Sequence, residues 1–289
     1  MSTGRSGCGG AAARRSGSRP DGPPGTCSCA GPVVPRGGPA HTAPALGPAA
    51  GPATGGGSVG AMADPLVPST GLAVVHLFCR VPASADRAAL ETAVKAAEAD
   101  GVQVVPVAVL GHKADIALMA LGTDVWRLRN LQTAVVAAGL ELVDSYVSLT
   151  ELSEYAQGLP EAMASARLNP VLPPAGLTAW CFYPMSKRRD PGQNWFALPY
   201  EDRKALMHEH GASGRKFAGR VLQVVTGSTG IDDYEWGVTL FAQKPDDLKE
   251  VVYTMRFDTA STEYAEFGPF VTGAVGSLGD VLDAVGLTA

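Results

Sequence analysis

Residues 72–79 read LAVVHLFC, a short run of apolar residues broken only by His76. A run this short and this rich in Val, Leu and Phe predicts a buried strand. Downstream the period changes. From about Asp86, residues Leu90, Val94 and Ala97 recur at helical spacing, with Ser84 nearby as a candidate cap. Two more strand runs follow at 102–109 (VQVVPVAV) and 115–121 (ADIALMA). Thr123 opens a second helix carrying Val125, Leu128, Leu131 and Val135 on one side, and Gly139 ends it. A strand at 140–149 closes the set. The order is β-α-β-β-α-β, a ferredoxin-like unit.

The second half repeats the order without repeating the letters. A strand at 178–184 (TAWCFYP) precedes a helix from about Pro199 to His210, stopped by Gly211. Strands at 219–226 and 234–242 come next, then a helix with Pro245 at its start and Asp246 and Asp247 in its first turn. A last strand lies near 264–272. The expected fold is therefore α+β: two tandem ferredoxin-like (βαββαβ) halves, 67–165 and 166–289, joined in one antiparallel sheet or barrel with helices outside, the dimeric α+β barrel type.

Upstream the composition is different in kind. Residues 1–60 hold 16 Gly and 9 Pro and no aromatic residue, too little apolar surface to offset the entropy of ordering them. Residues 1–66 are accordingly read as a disordered tail, and Met62-Ala63-Asp64 offers an alternative start. Five Arg against Asp21 give residues 1–60 a net charge of +4; the whole chain carries −5, so the rest carries −9. An acidic body argues against nucleic acid as the main partner. Arg14–Arg15 is followed by Ser-Gly-Ser-Arg-Pro and no apolar segment, so no export signal is read, and no run is long enough to span a membrane. Cys8, Cys27 and Cys29 lie in the tail. Cys79 and Cys181 stand singly in apolar runs, which suits buried free thiols in a reducing cytoplasm.

Three of the four Trp, and the side chains that break the pattern, fall after residue 165. His210 shares a helical face with Arg203, Leu206 and Met207, whereas His208 lies on another face. An imidazole there is either a partner for the end of the helix dipole or a ligand for a metal or haem iron. Gln223 alternates with Val221 and Val225 on one strand face, so it needs a hydrogen-bonding neighbour, either solvent at a sheet edge or a ligand. In CFYPMSKRR (181–189) a strand ends at Tyr183 beside Lys187, Arg188 and Arg189. That is either a solvated basic surface or, with Arg167 and Arg215, a place for a ligand rich in carboxylates.

CFYPMSKRR (181–189), NWF (194–196), HEHGASGRKFAGRVLQVVTGS (208–228), DDYEWGVTLFA (232–242) and the stretch from Met255 to Phe270 with Thr259 skipped together resemble the coproheme decarboxylases. These are a haem-biosynthetic branch of the chlorite dismutase-like superfamily, and the likeness is to the Gram-positive type. The resemblance implies an oxidoreductase acting on Fe-coproporphyrin III (coproheme), which is both substrate and redox cofactor. Hydrogen peroxide converts propionates 2 and 4 to vinyl groups and leaves haem b as product. It implies one haem site in the C-terminal half and a cytoplasmic homo-oligomer, typically a pentamer. A transient contact with coproporphyrin ferrochelatase goes with it. By the same resemblance His210 is the iron ligand, Tyr183 the radical-forming phenol, and Lys187 the proton and propionate partner. Met185 and Ser186 line the pocket, and Gln223 stands above the iron. Arg215 and Ser261 contact propionates. Arg167, in ARLNPVLPP, matches a distal-side Arg once two residues are inserted near Pro174 and Ala175.

Two rival functions use the same fold. A chlorite-degrading haem peroxidase would carry an Arg where Gln223 stands and would lack the phenol of Tyr183. A non-catalytic haem-binding protein would need His210 but not Tyr183. A purely structural ferredoxin-like protein accounts for any one of these residues and not for their joint spacing.

Overall fold

A computed structural model describes residues 64–288. The stretch read as disordered, apart from residues 64–66, lies outside the described residues. The first half contains β1 (Ala73–Arg80), α1 (Arg87–Ala99), β2 (Gln103–Leu110), β3 (Ile116–Gly122), α2 (Val125–Ala137) and β4 (Glu141–Thr150). After α3 (Glu161–Leu168) come β5 (Ala179–Lys187), a small hairpin of β6 (Arg189–Asp190) and β7 (Gln193–Asn194), and α4 (Tyr200–Arg215). The chain then runs through β8 (Val221–Gly227), β9 (Trp236–Ala242), α5 (Pro245–Met255), α6 (Thr259–Thr262), β10 (Ala265–Phe267), β11 (Val271–Val275) and α7 (Leu278–Ala284). The β-α-β-β-α-β order of each half is as read from the sequence. No helix among the described residues is long and apolar enough to cross a membrane.

The strands form one sheet in the order β10-β5-β11-β2-β3-β1-β4-β8-β9, and β9 pairs again with β5. That pairing closes a barrel of antiparallel strands. Two seams join the halves. At one, β11 pairs with β2 from Thr272–Leu110 to Val275–Val107. At the other, β4 meets β8 through only Leu149–Gly227 and Thr150–Thr226.

Because strand side chains alternate, each strand feeds two separate cores. On β1, Val74 and Phe78 point into the barrel with Met119, Tyr146, Trp180, Phe182 and Phe241. Ala73, Val75, Leu77 and Cys79 point outward against Leu90 and Val94 of α1 and Leu128, Leu131 and Val135 of α2. On β5, Trp180 and Phe182 face in, whereas Ala179, Cys181 and Tyr183 face out toward Leu248, Val251 and Met255 of α5.

Several local expectations are corrected. α1 is capped by Asp86, whose carboxylate accepts from the Ala89 N–H at 2.9 Å, and not by Ser84. Asp124 rather than Thr123 caps α2. α4 does not stop at Gly211 but runs on to Arg215. Its extra turn is held by Ser213, which donates to Asp258 at 2.8 Å, and by Gly214 lying against Met255. The last strand is two pieces, β10 and β11, broken at Gly268-Pro269. Pro269 has no N–H to give a ladder, and a side chain at Gly268 would strike Tyr234 and Pro184. α3, α6 and α7 had no sequence forecast; α3 buries no residue, so it leaves no apolar stripe to read.

Two outcomes test this packing. At the β11–β2 seam a Cβ on Gly273 would lie 2.3 Å from the Ala108 carbonyl oxygen. Gly273→Ala is therefore expected to destabilise the fold by about 1–3 kcal/mol in urea titration. His76 is fully buried, and burial holds its pKa down to about 3. Below the ordinary value of about 6.5 the unfolded chain takes up a proton that the folded chain refuses. Stability should therefore fall as pH drops from about 6.5 toward 3, and His76→Gln should flatten that limb of the denaturation profile.

Candidate functional site

In the first half, α1 and α2 lie directly on the outer sheet face. Their counterparts behave differently. α5 packs on β5, β8 and β9, but α4 has its main contacts with α5 and α6, and none of like extent with a strand. Its inward residues Arg203, Leu206, Met207 and His210 are only half-buried, and His208 is exposed. This half-covered face of α4 and the sheet face on that side bound what is called the slot below.

The sheet wall of that slot is fixed by register. Tyr183 is level with Val238 and, one strand further, with Val225; Cys181 is level with Leu240 and Gln223. Tyr183, Met185, Lys187, Gln223 and Val225 therefore share one face. Gln223 sits two strands from Tyr183, about 10 Å across the sheet, and two residues along. The alternation of Val221, Gln223 and Val225 is as read; Gln223 is half-buried and Val225 exposed.

Tyr183 is buried and stacks on Phe270 at 4.4 Å between ring centroids, with Phe267 at 5.8 Å. Burial pushes its pKa upward, and Cys181 adds to this while Arg256 opposes it. The phenol is thus protonated at neutral pH. Lys187 is also buried. Its Nζ donates to the Ala260 carbonyl at 2.6 Å and lies 4.2 Å over the Trp195 ring. Burial lowers its pKa to about 8, against the pull of Glu235.

His210 lies across from this wall. The Asp258 carboxylate can only accept, so the imidazole donates Nδ1–H to it at 3.2 Å and leaves Nε2 free. Burial and then the nearby Lys187 charge lower the His210 pKa, with Asp258 pulling it up. α4 continues past His210, so the reading of this residue as a partner for the helix end does not hold. Among the described residues no three His, Cys, Asp or Glu side chains converge on a metal position. A single oriented imidazole suits an iron that brings its own equatorial ligands.

The remaining sequence candidates divide. Ser261 is buried in α6, where its N–H donates to the Asp258 carbonyl at 2.9 Å. Arg215 is exposed at the end of α4. Ser186 faces away from Tyr183 and Lys187, and its Oγ accepts from the Glu235 N–H at 3.2 Å. Arg167 is exposed on α3, and among the described residues it makes no hydrogen bond or ion pair with the cluster. The basic run also splits: Arg188 donates to Gln193, Arg189 pairs with buried Glu235 at 2.6 Å, and only Lys187 comes near His210.

Three contributors escaped sequence reasoning. Asp258 precedes α6 like an ordinary N-cap, yet its carboxylate makes no cap bond and serves His210 and Ser213 instead. Arg256 lies 4.9 Å over Phe267, on the edge of the Tyr183 cage. Trp195, quoted only within NWF, forms the seat of Lys187. For Arg256 and Asp258 alike the signal was their place in the Met255–Phe270 stretch; nothing in the local pattern gave either a role.

Residues 83–276 match the chlorite dismutase family. The chain is 45% identical over 177 residues to the coproheme decarboxylase of Staphylococcus carnosus, covering 58% of this chain and 70% of that one. It is 43% identical over 182 residues to a Natronomonas pharaonis protein named as heme-binding, covering 57% of this chain but only 30% of that longer protein. A heme-binding protein from Thermus thermophilus superposes with a TM-score of 0.66 at 35% identity, covering 75% of this chain and 96% of that one. Chlorite dismutase from Candidatus Nitrospira defluvii, at 18% identity and a TM-score of 0.61 over 75% and 96% of the two chains, shares the fold. The chain belongs to the chlorite dismutase family.

Proposed function

We propose that this protein is a coproheme decarboxylase, converting propionates 2 and 4 of Fe-coproporphyrin III to vinyl groups and so producing haem b. The reading is supported by an imidazole with a free Nε2, close enough to Lys187 to feel its charge, and by a buried phenol on that lysine's strand that no side chain or carbonyl among the described residues binds. A carrier needs the first and has no use for the second. A chlorite-degrading enzyme would have Arg in place of Gln223.

Each decarboxylation removes two electrons. A ring–CH2–CH2–COO⁻ group, a proton and hydrogen peroxide give ring–CH=CH2, carbon dioxide and two waters. The porphyrin iron, when bound, supplies the reaction with peroxide. The chain's residues do the rest. His210 holds the iron through Nε2, and Asp258 fixes the ring by holding Nδ1–H. Tyr183, as its oxidised phenoxyl, takes a hydrogen atom from the propionate side chain; such a transfer works only at contact range, so position decides which group reacts. The cage of Phe267 and Phe270 keeps water from the ring.

Lys187, with its pKa lowered to about 8, both pairs with a propionate and exchanges protons near neutrality. Met185 lines the wall, Gln223 offers an amide to the peroxide side, and Arg256, Arg215 and Ser261 would hold other propionates. Arg167 is assigned to the distal side by the resemblance alone. In the same reading the site belongs wholly to the half at 166–289. The enzyme works in the cytoplasm as a ring of five copies and receives coproheme through a transient contact with coproporphyrin ferrochelatase.

Coproheme plus peroxide, followed by mass spectrometry, should show two successive losses of carbon dioxide with two hydrogens each. Tyr183→Phe should bind coproheme with an unchanged Soret shift and form no vinyl product; wild-type yields from that variant would remove the assignment. Lys187→Ala should slow product formation by roughly 10²-fold. Asp258→Asn should lower the His210 pKa further in NMR titration of the ligand-free protein, since Asp258 raises it. It should also weaken porphyrin-iron ligation by roughly 10–100-fold.

A further inference from the structure

The barrel interior holds a polar cluster that the chemistry above does not use. His76 on β1, Ser148 on β4 and Trp180 on β5 are all fully buried. Three of their atoms, His76 Nδ1, Ser148 Oγ and Trp180 Nε1, are hydrogen-bonded to no atom of the described residues. The other imidazole nitrogen, Nε2, is engaged with Thr239 Oγ1 of β9 at 3.0 Å. Buried polar groups are rarely left without partners, and three in one core call for a common cause.

The three are neighbours. Ser148 is level with Val74, which shares the inward face of β1 with His76 two residues on. Such diagonal pairs are about 7–8 Å apart at Cα. The Trp180 and His76 ring centroids are 6.4 Å apart, and Phe182 closes the other side of the imidazole at 4.2 Å. No direct bond among the three exists, and each faces the same inner core.

We infer that the barrel core binds one water molecule, which accepts from Trp180 Nε1–H, donates to His76 Nδ1 and makes its third bond with Ser148 Oγ. The chemistry selects the ligand. Indole nitrogen only donates, so the guest must accept; a guest that also donates satisfies an unprotonated Nδ1. His76 is neutral in the fold, so an anion would find no counter-charge. The other side chains of this core, among them Phe78, Met119, Phe182 and Phe241, offer a guest no further polar partner, which favours a molecule as small as water over a larger one. This assignment also fixes the tautomer: the proton sits on Nε2 and is donated to Thr239 Oγ1.

The position gives the water a structural task. His76 and Ser148 come from the first half, Trp180 and Thr239 from the second, so the bridge ties the two halves together inside the barrel. It also holds β5 from within, on the face opposite Tyr183. The inference stands apart from the reaction proposed above and is tested without porphyrin.

Two measurements on the ligand-free full chain decide it. A crystal structure at high resolution should show density at hydrogen-bond distance from all three atoms. NMR of the protein labelled with nitrogen-15 histidine should show His76 with an unprotonated, hydrogen-bond-accepting Nδ1 and a protonated Nε2, the signal being assigned by its loss in His76→Gln. A dry core, or a proton on Nδ1, overturns the inference, whatever the protein does with coproheme.

Discussion

The position of the Tyr183 phenol depends on β5 being held along both edges. On one side β9 pairs with it from Ala179 to Met185, and on the other β11 and β10 pair with it in succession. A slip of one residue would turn every side chain over. Tyr183 and Lys187 would then enter the barrel, and Trp180 and Phe182 would enter the slot. The large rings inside make that exchange impossible to accommodate. Packing on one face of the strand therefore determines the chemistry on the other.

The slot itself comes from an asymmetry between two similar halves. The first half uses its helices to cover the sheet with Leu, Val and Ala, and the result is a dry core. In the second half α4 is carried on α5 and α6, and its polar anchors do the carrying: Ser213 on Asp258, and Arg203 donating to Tyr155 and to the Leu198 carbonyl. The chain is acidic overall, yet Lys187 stands beside His210 and Arg256 beside the Tyr183 cage. Local positive charge on a negative body favours a ligand bearing several carboxylates and leaves other surfaces without that attraction.

Much of the fold was legible because strand runs such as LAVVHLFC and ADIALMA are short, apolar and cleanly bounded. Burial on both faces is what produces them. The helical stripes of α1 and α2 were equally plain. The caps were misplaced by one or two residues because Ser84, Thr123, Asp86 and Asp124 are all competent in sequence, and only the backbone path chooses among them. Gly211 looked like a stop, but glycine tolerates a helix when tertiary contacts hold the next turn, as Ser213 and Gly214 do here. In the site, residues on one element could be grouped by period, so the shared face of Val221, Gln223 and Val225 was readable; that of Tyr183 and Lys187 was not, because the strand runs on to Lys187 past the Pro184 where the sequence ended it. The role of Asp258 was not, since its partner is 48 positions away and only the fold brings them together. Arg188 and Arg189 show the reverse error: adjacency in sequence suggested joint action, and alternation and the buried Glu235 carboxylate separated them from Lys187.

The interruption at Gly268-Pro269 has a bearing on the cage around Tyr183. In an unbroken ribbon, positions three apart project in opposite directions, so Phe267 and Phe270 could not both reach the same ring. The kink resets the phase of the alternation between them, and both aromatics then turn to the same neighbour. Smoothing this joint by sequence change would make a more regular barrel and would deprive the tyrosine of one of its two walls. Here the irregular geometry is what holds the tyrosine ring between two aromatic neighbours.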